Sequence, residues 1–143
     1  MRRHNRTRFF YWWPVIVLCA LIFVQSGFST PRVVPVIDFG DKLLHIAAYA
    51  LLATLFFRAY RNTGKLSRSP LLLIVLSILS STLYGLTDEI HQSFVSVRHA
   101  DVLDLVADGV GSILGSLAYH QVVIVHRNVF RRISWIDKIM NFL

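Results

Sequence analysis

"FFYWWPVIVLCALIFVQSGF", from Phe9 to Phe28, contains no charged residue. A helix of ~20 apolar residues, rising 1.5 Å per residue, crosses the hydrocarbon of a bilayer. The stretch therefore predicts a membrane span over about 9–28. Upstream, "MRRHNRTR" is basic, and no small-x-small cleavage pattern follows the apolar run, so the segment reads as a retained signal anchor rather than a removable leader. Tyr11, Trp12 and Trp13 are expected at the headgroup level, with Pro14 near the start of the helix.

Outward from this stretch the same pattern recurs. "STPRVVPVIDFG" holds Pro31, Pro35 and Gly40 and reads as a connection. A second span is expected over about 42–58, followed by a polar turn carrying Arg58, Arg61, Lys65 and Arg68. Pro70 starts a third span over about 70–88, with proline at a helix start. A fourth follows over about 102–125. In 128–143, Val129, Ile133, Ile136, Met140 and Leu143 recur at helical spacing, which predicts an amphipathic helix lying in the interface. The expected fold class is all-α: one domain, 1–143, built as a four-helix membrane bundle with an amphipathic tail.

Composition agrees. The chain has 143 residues, 55% of them hydrophobic and 16% charged, and a mean hydropathy of +0.55, too apolar for an ordinary soluble core. A net charge of +7 raises nucleic-acid binding, but the basic residues cluster at the ends of apolar runs, as cytoplasmic flanks of membrane helices do. No nucleic-acid partner is expected. Cys19 is the single cysteine, so neither an intrachain disulfide nor a cysteine-built metal site is possible.

Lysine and arginine are dense before the first span, between the second and third, and after the fourth. The positive-inside rule then places both termini in the cytoplasm. Asp38, Asp41, Lys42, His45, Asp88, Glu89, His91, Gln92, Arg98, His99, Asp101 and Asp104 all fall toward the opposite, extracytoplasmic side. Helical spacing puts Asp41, His45 and Ala48 or Tyr49 on one face of the second span. Tyr84, Asp88 and His91 or Gln92 share a face of the third, and Asp101, Asp104 and Asp108 a face of the fourth. Asp108 lies roughly 10 Å deeper than Asp101, so it should face the bundle and find a partner, with Arg98, Lys42, His45 and His91 as candidates. Gly111 and Gly115, beside Ser112 and Ser116, form a surface for close helix approach within the bundle.

"DKLLHIAAYALLA" and "LYGLTDEIHQSFVSVRHADVLDLVADGVGSILG" resemble the VanZ-like family of small bacterial membrane proteins, named after a protein associated with low-level resistance to teicoplanin. The resemblance runs from about Asp41 to Gly115. The family pattern falls on Asp41, Lys42, His45, Tyr49, Glu89, His91, Gln92, Arg98, Asp104 and Gly111. Members often carry Pro-Gly before the arginine, where this chain has Ser96 and Val97, and often Asn where it has Asp108. The resemblance implies a multi-span protein of the bacterial inner membrane linked to the cell envelope.

The leading functional expectation is an extracytoplasmic pocket for the head group of an amphiphile: a lipid, an envelope precursor or a lipid-tailed glycopeptide antibiotic. Asp41, Lys42, His45, Tyr49, Asp88, Glu89, Gln92, Arg98, Asp104 and Asp108 are its candidate binding residues, with Lys42 and Arg98 toward phosphate or carboxylate. The alternative is a membrane-embedded hydrolase or transferase acting on a lipid, with Glu89, His91 and His45 as the acid-base candidates and a divalent metal as an option. Neither H-E-x-x-H spacing nor a serine-centred elbow is present, so no metal-ligand set and no cofactor is assigned. Proton or cation movement past Asp108 would need a polar path deeper in the bundle. The blandest reading makes Asp41, Glu89, Arg98 and Asp104 a structural ion-pair network. Oligomeric state is not legible.

Overall fold

The computed structural model describes residues 2–27, 38–63, 69–94 and 102–125, and among them there is no strand. Four helices follow one another: α1 (Arg2–Gly27), α2 (Asp38–Thr63), α3 (Pro70–Ser93) and α4 (Val102–Tyr119), the last running on into a π-helical turn, His120–Val125. Within them Phe9–Gly27, Gly40–Asn62, Pro70–Ser93 and Val102–Val123 are each long and apolar enough to cross a membrane. The all-α, four-span expectation holds. The tail 128–143, with its expected amphipathic helix, lies outside the described residues, as do Arg98, His99 and Asp101.

Four helix ends lie beyond the expected ones, for one physical reason: intrahelical hydrogen bonds carry a helix past the point where hydropathy drops. One is the start of α2, where residues 38–40, expected in the connection, are helical. α1 begins at Arg2, so Pro14 lies inside the helix rather than at its start. Proline there removes one backbone donor. α2 runs to Thr63, and Arg58 is not in a turn. It is 3% exposed, with its guanidinium 5.7 Å from the ring centre of Phe10 and 5.0 Å from that of Tyr11. Aromatic faces attract such a cation. α3 continues through Ser93, past the expected end near 88, so that Asp88 and Gln92 share a helix face as their spacing predicts. Its start follows the expected chemistry: Ser69 accepts a hydrogen bond from the Leu72 N–H, and Pro70 occupies the first turn.

The helices alternate in direction, as side-chain contacts at both ends require. Trp12 near the start of α1 meets Phe56 and Tyr60 near the end of α2, edge to face at 6.2 and 5.2 Å. At the other end Lys42 of α2 reaches Asp104 of α4. Tyr11 and Trp12 therefore pack on the cluster around Tyr49 and Leu52, while Trp13 faces outward.

The interior combines small and polar groups, Ser77, Ser81, Asp108, Ser112 and Ser116, with a few large side chains, Tyr49, Leu52, Phe57 and Leu73, whereas many other leucines and isoleucines of all four helices face outward. In lipid there is no hydrophobic drive to bury leucine, so close approach of backbones and hydrogen bonds between helices decide what lies inside. α2 and α4 lie parallel and in contact: a side chain at Gly111 would run into the backbone of Ile46, and one at Gly115 into that of Ala50. Thr54 Oγ1 donates both to the carbonyl of Ala50 (2.9 Å) and to that of Gly115 (3.1 Å), joining the two helices. Across α3, Ser77 and Ser116 hydroxyls pair at 3.0 Å, and Ser81 donates to the carbonyl of Tyr49 at 3.2 Å.

Candidate functional site

Polar chemistry concentrates where α1 and α3 end and α2 and α4 begin. Two cross-links join the parallel pair α2 and α4. Lys42 Nζ donates to Asp104 Oδ1 at 3.0 Å. One turn deeper, His45 Nδ1 is hydrogen-bonded to Asp108 Oδ1 at 2.8 Å. The spacing follows from sequence: 42 and 45 lie on one face of α2, 104 and 108 on one face of α4. Of the described candidates for Asp108, Lys42, His45 and His91, His45 is the one hydrogen-bonded to it. An ionised carboxylate in mid-helix costs about 2.5–3.5 kcal/mol to insert, so the buried Asp108 needs such a partner.

α1 and α3 contribute a second group. Asp88 accepts from Ser26 Oγ and from Gln92 Nε2, the latter at 2.9 Å. His91 turns away from it and stacks on Phe23, ring centres 4.2 Å apart. Tyr84 donates to the carbonyl of Cys19 at 2.6 Å, tying α3 to α1. Glu89 is buried on the neighbouring face of α3.

Between these groups lies a cavity of about 310 Å³, at the lower end of the range typical of small-molecule sites. Ser26, Asp41, His45, Tyr49, Asp88 and Gln92 form its polar wall; Ile22, Leu44 and Leu51 belong to its apolar one. Leu44 is 62% and Leu51 51% exposed, so the cavity borders the surface that faces lipid. Among the described residues, no lysine or arginine lines it. Buried polar atoms here without a hydrogen-bond partner among the described residues include the hydroxyl of Tyr49, in the cavity wall, Oδ2 of Asp108 and Nδ1 of His91. Leaving such a group unsatisfied costs about 1–3 kcal/mol. The His45 and Tyr49 rings are stacked, centroids 6.1 Å apart. Two sets of potential metal ligands share His45: Asp41, His45 and Asp104, and His45, Glu89 and Asp108.

Of the sequence candidates, Asp41, His45, Tyr49, Asp88 and Gln92 come together around the cavity. Lys42 and Asp104 pair beside it, Asp108 stands behind His45, and Glu89 is buried outside the lining. Arg98 lies outside the described residues. Sequence reasoning treated α1 only as an anchor and missed Ile22, Gln25 and Ser26 in the wall. The signal was present: Gln25 and Ser26 are polar residues at the end of an otherwise apolar span.

A family model described as VanZ/LLP1 matches residues 4–126, and so takes in all four helices and the whole of this cavity. The chain belongs to the VanZ-like family. The match extends the resemblance of Asp41–Gly115 upstream through α1, which supplies a wall of the cavity in this VanZ-like chain. No curated protein and no solved structure matches it.

Proposed function

We propose that the chain is a receptor for the head group of an amphiphile, embedded in the bacterial cytoplasmic membrane with both termini in the cytoplasm and the cavity on the extracytoplasmic side. The observation that carries this reading is a cavity with two kinds of wall. Hydroxyl, amide, imidazole and carboxylate groups line one side, and the lipid-facing leucines Leu44 and Leu51 line the other. An alkyl chain lies against the leucines while a head group fills the polar part. The orientation rests on the basic residues of the sequence, which gather at the end of the bundle opposite the cavity.

The lining also narrows the ligand. Lys42, expected to meet phosphate, is held by Asp104 instead. With Asp41 and Asp88 in the wall, the described part of the cavity favours a head group rich in hydrogen-bond donors or bearing an amine. Membrane lipids, envelope precursors and lipid-tailed glycopeptides such as teicoplanin can all combine an alkyl chain with such a head. Asp88→Asn and Gln92→Leu test the reading through mass spectrometry of lipid extracted from purified protein. Both variants should retain less than the wild type while still melting cooperatively. Wild-type retention in both, with folding intact, would refute it.

A second reading, a hydrolase or transferase acting on a lipid, has one specific observation in its favour. His45 lines the cavity and is hydrogen-bonded through Nδ1 to the buried Asp108. A carboxylate that orients an imidazole in this way leaves Nε2 as the nitrogen available to take a proton.

A further inference from the structure

We propose that His45, Glu89 and Asp108 bind a divalent transition-metal ion of the zinc class. Each offers one ligand atom, and the three atoms lie within 4.8 Å of one another. Ligands about 2.1 Å from a tetrahedral ion are separated by roughly 3.4 Å. Small side-chain shifts therefore suffice to close the set. The three residues come from three helices, α2, α3 and α4, whose backbones are held together by the glycine contacts and the serine pairs described above.

Asp108 supplies the independent sign of a ligand. It has no exposed surface, one of its oxygens is occupied by His45, and the other, Oδ2, is buried without a partner among the described residues. That oxygen is directed at α3, where it abuts the position of a side chain at Gly85, one turn before Glu89. The charge also matches: two carboxylates and a neutral imidazole balance a dication, in a setting where uncompensated charge is costly. Mixed imidazole and carboxylate ligation suits Zn²⁺ and its neighbours, whereas Mg²⁺ and Ca²⁺ prefer oxygen alone and Cu⁺ prefers sulfur. The competing set, Asp41, His45 and Asp104, is weaker. Asp41 is exposed, whereas Glu89 and Asp108 of the favoured set are both buried.

The inference does not depend on the amphiphile reading, and its test separates the two. The full chain, freed of any affinity tag, is stripped with a chelator in detergent, cleared of lipid and titrated with Co²⁺. Visible absorption should saturate at one equivalent, and Zn²⁺ should displace the Co²⁺. Glu89→Gln and Asp108→Asn should each weaken binding by about tenfold or more, while Asp41→Asn should bind as the wild type does. Absence of saturable binding by the wild type overturns the proposal without recourse to variants. So does unchanged affinity in a folded Glu89→Gln protein, or loss of binding in Asp41→Asn, which would move the ion to the other set.

Discussion

Asp108 and His45 form the deepest polar contact of the bundle's polar end, at 2.8 Å with Asp108 wholly buried. Removing one partner of such a pair strands the other in a low-dielectric setting, at a cost of about 3 kcal/mol. His45→Leu should therefore lower stability by that order, read as unfolding in mixed detergent. His45→Leu/Asp108→Leu should recover much of the loss, because no charge is then left unpaired. Additive losses in the double variant would show that the two residues do not act together. That Asp108 needed a partner was legible from its depth in an apolar run. Which partner it takes was not, because the choice depends on the relative register of α2 and α4, and periodicity within one helix carries no information about another. The Lys42–Asp104 pairing depends on the same register.

At the scale of elements, Gly111 and Gly115 set how closely α4 lies against α2. Even a methyl group at Gly115 would meet the carbonyl of Ala50, and backbone cannot move aside cheaply. Gly109, on the same helix, has nothing within 4 Å of where a side chain would begin. Gly115→Ala should accordingly lower the melting temperature clearly, whereas Gly109→Ala should leave it unchanged or raise it slightly, by up to about 1 kcal/mol in helix propensity. Equal behaviour of the two variants would remove the close-packing role. The existence and order of the helices could be read from hydropathy, and the small-residue surface from its spacing. Helix ends could not: Arg58 and Asp88 interrupt hydropathy but are buried in the bundle, where Phe10 and Tyr11 receive the first and Ser26 the second. The packing of Trp12 on Phe56 and Tyr60 could not be read from its place at a span's end, since an aromatic residue there suits a membrane interface and a neighbouring helix alike.

For the whole molecule, orientation decides which compartment the cavity serves. In a Cys19→Ala background, a cysteine at Phe94, which is 82% exposed at the end of α3, should react with an impermeant thiol reagent added outside intact cells. A cysteine at Asn62, exposed near the end of α2, should not. The reverse pattern would invert the molecule and place the cavity on the cytoplasmic side. The presence of a pocket is likewise a property of the assembled bundle: α1 brings Ile22 and Ser26, α2 brings His45 and Tyr49, and α3 brings Asp88 and Gln92, and no one helix encloses a volume.

The central claim is that this volume holds an amphiphile, and native mass spectrometry of the chain released from its own membranes tests it most directly. Ala48 lies in the cavity wall, so Ala48→Trp fills the space without removing a polar group. The wild type should carry a lipid-sized adduct that survives detergent washing, and a folded Ala48→Trp protein should lose it. An adduct-free wild type, or an adduct retained in full by the filled variant, would contradict the claim.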